Sequence, residues 1–142
     1  LQPQSLGIDE ASLNLVRKGM TRVTNNPHGT AYRSRIRKKG MKMAGKTGTS
    51  QVKSITERER ETGVIKNEKL PWTKRDHALF VGYAPLVNPR YAAAVVVEHG
   101  GGGSKVAAPI ARDLLIETQK LDPTGESERE WIAATDGLSN KS

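Results

Sequence analysis

Residues 45–52, Gly-Lys-Thr-Gly-Thr-Ser-Gln-Val, hold a cation and two threonine hydroxyls around a glycine inside a run that otherwise reads as a strand. Met41 and Met43 precede the run and Val52 closes it, so the polar cluster is expected within a sheet, on a strand spanning residues 41–54. Alternation along that strand sets Lys46 and Gly48 on one face and Thr47 and Thr49 on the other. An extended ligand lying along the strand's edge meets main-chain hydrogen-bonding groups, and Gly48 carries no side chain to hold it away. A free N–H at Thr49 is the kind of fixed dipole that stabilises a developing oxyanion. The cluster has the chemistry of a carboxylate-binding strand.

The same residues satisfy a second pattern. Gly40-Met41-Lys42-Met43-Ala44-Gly45-Lys46-Thr47 reads G-x-x-x-x-G-K-T, the loop that wraps phosphates in nucleotide hydrolases. Such a loop needs an apolar strand before its first glycine and a helix opening at its lysine. The residues before Gly40 are Arg33-Ser34-Arg35-Ile36-Arg37-Lys38-Lys39, too charged for a buried parallel strand. Thr47, Gly48, Thr49 and Val52 disfavour a helix after the lysine. The phosphate-loop hydrolase is therefore the lesser alternative, and Lys46 in the opening turn of a helix would restore it.

Charge is placed unevenly. Residues 1–50 hold ten Lys or Arg against two acids, whereas residues 122–142 hold two against five. The basic run over residues 33–42 has only Tyr32 beside it and lacks stacking platforms, so it reads as a hydrated arm and not as a nucleic-acid surface. There is no cysteine, which excludes a disulfide framework and a thiolate metal site. His28 falls in a turn, His77 begins a strand and His99 ends one; read as scattered imidazoles, they predict no metal site, and no cofactor is expected. No apolar run reaches the roughly 18–20 residues that cross a bilayer, so any membrane anchor is expected outside this chain.

The expected fold class is α+β, an antiparallel sheet flanked by N- and C-terminal helices. Leu13, Val16, Met20 and Val23 recur at helical spacing over residues 9–24, with Asp9 as cap and Asn25-Asn26-Pro27-His28-Gly29 as the stop. Residues 55–75 form a polar excursion, expected as a mobile surface loop. Residues 77–84 and 90–98 read as two strands of an antiparallel hairpin. The run Ala92-Ala93-Ala94-Val95-Val96-Val97 predicts burial on both faces, hence a central strand. Gly100 to Gly103 are expected as a flexible bend, and a last helix over residues 107–121 should face the sheet with Ala107, Ile110, Ala111, Leu114 and Leu121. Residues 122–142, acidic and small, are expected as a poorly ordered tail, with one or two helical turns possible at 127–132.

Lys46-Thr47-Gly48 is one of the active-site signatures of penicillin-binding proteins and class A β-lactamases. With Asp76-His77-Ala78-Leu79-Phe80-Val81-Gly82-Tyr83-Ala84-Pro85, the Ala-Val strand and Val106-Ala107-Ala108-Pro109-Ile110, it resembles the last third of a penicillin-binding transpeptidase domain over residues 9–121. Val97-Glu98-His99-Gly100-Gly101-Gly102-Gly103-Ser104 looks like the elongation type of class B enzyme, the penicillin-binding protein 2 group, rather than the septal type. The resemblance implies residues 1–121 as the C-terminal portion of such a domain. It also implies a D,D-transpeptidase on the periplasmic face of the bacterial inner membrane, acting on peptidoglycan stem peptides through a serine acyl-enzyme and binding β-lactam antibiotics in the full-length protein. Other cell-elongation proteins are the implied partners. Lys46 would supply positive potential and relay a proton, Thr47 and Thr49 would hold the terminal carboxylate beside Gly48, and the Thr49 N–H would serve the oxyanion hole.

The nucleophile departs from the pattern. Ser50-Gln51-Val52-Lys53 is the sole S-x-x-K, and it lies on the signature strand, where residues three apart project to opposite faces. Ser12-Leu13-Asn14 matches S-x-N but sits in a helical first turn. The chain is thus expected to carry the substrate-holding half of a site without the attacking serine. A non-catalytic scaffold or partner-binding module is the remaining alternative.

Overall fold

The computed structural model describes residue 5, residues 7–54 and residues 57–122. Their order is α1 (Glu10–Asn25), β1 (Ala44–Ser50), α2 (Glu57–Thr62), β2 (His77–Ala84), β3 (Tyr91–Val97) and α3 (Ala107–Leu121), with single 3-10 turns at Tyr32–Ser34, Asn67–Lys69 and Trp72–Lys74. The three strands form one antiparallel sheet in the order β1-β2-β3, giving the α+β class read from sequence. β1 is shorter than the 41–54 expected, because Met41 and Met43 precede the ladder.

Registers define two faces. Thr47, Phe80 and Val95 share one rung, and Lys46, Val81 and Ala94 the next. The Phe80 ring is fully buried over Gly45 and Gly82, and a Cβ at Gly45 would meet its Cζ directly. Neither glycine turns the chain; both clear room for one ring. Burying a phenylalanine side chain of this kind contributes roughly 1.5–3 kcal/mol.

α3 covers the Phe80 face, packing on β2 and β3. Ala107, Ala108 and Ala111 are fully buried and Leu115 nearly so, while Gln119 donates to the carbonyls of Met41 at 3.1 Å and Leu115 at 2.9 Å. The expected stripe was therefore rotated: Ile110, Leu114 and Leu121 are 42%, 53% and 86% exposed. Alanines let the helix sit close to the sheet, and that closeness selects the buried face over side-chain size.

α1 packs against β1. Asp9 caps it, accepting from the Ser12 N–H at 2.9 Å, so Ser12 is engaged in the first turn as expected. At its other end Thr24, fully buried, donates its hydroxyl to the Met43 carbonyl at 2.8 Å, and Asn25 Nδ2 donates to the same oxygen at 2.9 Å. Val16, expected on the apolar face, is 57% exposed.

Three further expectations are corrected. β2 is the central strand and β3 an edge among the described residues, with Val96 62% exposed, so the alanine–valine run is not buried on both faces here. The polar excursion is built, not loose: it holds α2 and two 3-10 turns, and Arg75 Nε donates to the Leu70 carbonyl at 3.0 Å. The glycine bend is packed, as the site geometry shows. Residues 123–142, including the helical turns expected at 127–132, lie outside the described residues.

Candidate carboxylate-binding strand

Lys46, Thr47, Gly48 and Thr49 all lie within β1, whose ladder joins β2 on one side only among the described residues. The opposite edge is the surface that these residues flank. Lys46 and Thr49 are exposed, and Lys46 Nζ donates to the Thr47 carbonyl at 2.7 Å. The Thr47 and Thr30 hydroxyls lie 3.1 Å apart, linking the turn after α1 to the strand. Because Lys46 sits mid-strand and opens no helix, the phosphate-loop reading lacks the geometry it requires.

Gly48 pairs regularly with Leu79, with no bulge. A Cβ there would sit 3.2 Å from Leu79 Cβ. Gly103 packs directly on this ladder: its own Cβ would meet the carbonyl oxygens of Leu79 and Gly48, and would lie 3.1 Å from Gly48 N. The bend over Gly100 to Gly103 is thus a plate pressed against the signature strand, and Gly103 is buried. Gly101, at φ 83°, takes a conformation that favours glycine.

One aspartate ties the surrounding segments. The Asp76 Oδ1 accepts from the Val52 N–H at 3.3 Å, its N–H donates to Asn67 Oδ1 at 3.0 Å, and its carbonyl accepts from the Gly101 N–H at 2.8 Å. Beside it the histidines read as scattered are in part brought together. The His99 N–H donates to His77 Nδ1 at 2.9 Å, the His77 and His99 ring centroids are 4.7 Å apart, and Trp72 lies 4.3 Å from His99. That contact fixes His77 Nδ1 as an acceptor, hence the Nε2–H tautomer when neutral. Among the described residues no three His, Cys, Asp or Glu side chains converge on a metal position.

The lone S-x-x-K does not assemble a nucleophile. Ser50 ends β1, while Lys53 Nζ pairs with Glu59 Oε1 at 2.6 Å. Sequence reasoning missed Gly103, Asp76, Asn67 and the His77–His99–Trp72 stack; the glycine run and the Asp-His pair opening β2 were the available signals.

Residues 2–116 match the penicillin binding protein transpeptidase domain. This chain belongs to that family. The peptidoglycan D,D-transpeptidase MrdA of Haemophilus influenzae is 39% identical over 106 residues, which are 74% of this chain and 15% of that protein. The MrdA of Acinetobacter baumannii is 36% identical over 120 residues, 82% of this chain and 16% of that one. Among solved structures, the complex between penicillin-binding protein PBP2 and MreC from Helicobacter pylori superposes with a TM-score of 0.65 at 30% identity, covering 85% of this chain and 20% of that one. Pseudomonas aeruginosa PBP2 in complex with WCK 5153 gives 0.60 at 36% identity, with 87% and 23% covered. The penicillin-binding transpeptidase segment described here therefore spans about a sixth of the MrdA relatives and is of the PBP2 type.

Proposed function

We propose that β1 forms the substrate-holding wall of a peptidoglycan D,D-transpeptidase, receiving the D-alanyl-D-alanine terminus of a stem peptide along its free edge. The observation that carries this reading is the Lys46-Thr47-Gly48-Thr49 run on an unpaired strand edge, in a chain of the transpeptidase family. Lys46 supplies positive potential and helps relay a proton; the Thr47 and Thr49 hydroxyls hold the terminal carboxylate. The Thr49 N–H faces the carbonyl oxygen as charge develops on it, a contribution whose loss typically raises a barrier by ~2.7–4 kcal/mol. The acyl-forming serine comes from residues outside this chain, and β-lactam antibiotics occupy the same wall. The activity belongs to the periplasmic face of the bacterial inner membrane; among the described residues no helix is long and apolar enough to cross a membrane. The Helicobacter pylori relative solved with MreC supports a cell-elongation protein as partner.

The test is acylation by labelled penicillin in the longer transpeptidase that contains this segment. Thr49→Ala removes a hydroxyl contact to a carboxylate and keeps the N–H, so acylation should slow by about 10-fold or more, from roughly 1.5–3 kcal/mol for a hydrogen bond to a charged group. An unchanged rate removes the hydroxyl from its assigned role. The 142-residue chain alone serves as control and should form no adduct.

A further inference from the structure

A cavity of about 810 Å³ lies at the end of the sheet where β1 exits, and the carboxylate contact proposed for Lys46 to Thr49 does not use it. That volume is within the roughly 300–1,000 Å³ of ordinary ligand sites. Lys66, Lys69, Arg75 and Lys105 line it against one acid, Glu68. Arg75 is aimed by backbone carbonyls, its Nε donating to Leu70 at 3.0 Å and its Nη2 to Glu68 at 3.4 Å. Lys66, Lys69 and Lys105 form no ion pair among the described residues. The cavity's charge is therefore unneutralised and points to an anion.

Its position narrows the anion. Gly102 and Ser104 line the cavity, while Gly103 between them packs on Gly48. His99, another lining residue, stacks on His77, and His77 pairs with Ser50 at the exit of β1. A peptide antiparallel to β1 with its C-terminus at Lys46 to Thr49 sends its preceding residues toward Ser50, at about 3.4 Å per residue. Those residues arrive at this cavity.

We propose that the cavity binds a carboxylate on the side chain of the residue preceding the D-alanyl-D-alanine terminus, making Lys69, Arg75 and Lys105 a specificity subsite for acidic stem peptides. This rests on the reading of β1 as the terminal-carboxylate wall. The probes are two blocked peptides, acetyl-L-glutamyl-D-alanyl-D-alanine and its glutamine counterpart, titrated into the 142-residue chain at low salt with the Thr49 and Gly102 amides followed by NMR. The glutamyl peptide should bind about tenfold more tightly, as expected for one charge-assisted contact. Lys69→Gln with Lys105→Gln should bring the ratio of the two affinities near one, and Lys69→Arg with Lys105→Arg should restore it. Equal affinity of both peptides for the unmodified chain, with the Thr49 amide still moving, overturns the subsite and leaves the β1 reading standing. Failure of either peptide to move the Thr49 amide overturns both.

Discussion

Gly103 and Gly48 form the contact on which the site's geometry rests, and it is backbone against backbone. Gly103→Ala places a methyl group against the carbonyl oxygens of Leu79 and Gly48. Neither can withdraw without breaking the β1–β2 ladder, so a loss of about 1–3 kcal/mol is expected, read from the urea midpoint at unchanged slope. Gly102→Ala meets nothing within 4 Å and should leave the midpoint nearly in place. This contact was illegible in the sequence for a physical reason: it joins positions far apart in the chain and leaves no apolar pattern, since neither partner has a side chain. The strand placement of Lys46 to Thr49 was legible because propensity and the charged approach to Gly40 both act locally. His77 and His99 were misread as separate because the hairpin's register, not sequence distance, brings them together.

At the scale of elements, α3 separates apolar composition from burial. Leu115 is 2% exposed and Leu114 53%. Leu115→Ala should lower stability by about 2–5 kcal/mol and Leu114→Ala by no more than about 0.5 kcal/mol, compared by thermal or urea unfolding. The sequence shows leucines at both positions, so only the alanine contacts with the sheet decide between them. α1 carries a pH signature. Hydrogen bonds from Ser12, first its side chain and then its backbone N–H, hold the Asp9 carboxyl below its ordinary value of 3.8. A carboxyl lowered in the folded state stabilises it fully above the unfolded value, and that contribution is lost as pH falls through the lower folded value. Helicity at α1 should therefore weaken below about pH 4, followed by circular dichroism, and Asp9→Asn, which caps without charge, should flatten the dependence.

The whole molecule keeps one sheet face and the β3 edge open among the described residues. Val81 and Val96, 48% and 62% exposed, share that face with Ala92 and Ala94. The alanine–valine run was read as a central strand because its composition suits burial on both sides; the described fold buries one. An apolar edge strand of this kind invites pairing with another chain. The isolated chain should accordingly bind a hydrophobic dye and sediment with concentration-dependent mass, and Val81→Thr with Val96→Thr should diminish both. Unaltered dye fluorescence in that double variant would move the apolar surface elsewhere. What sequence made plain at this scale was the hairpin and its flanking helices, since each follows from local periodicity and turn residues.

Asp76 fastens the exit of β1, the Asn67 turn and the glycine plate with one residue's worth of hydrogen bonds. Three walls riveted at a single point share their displacements. A peptide that draws the strand toward itself also drags the basic cavity's floor and rim, so grip at the chain terminus and grip on the preceding residue tighten in concert.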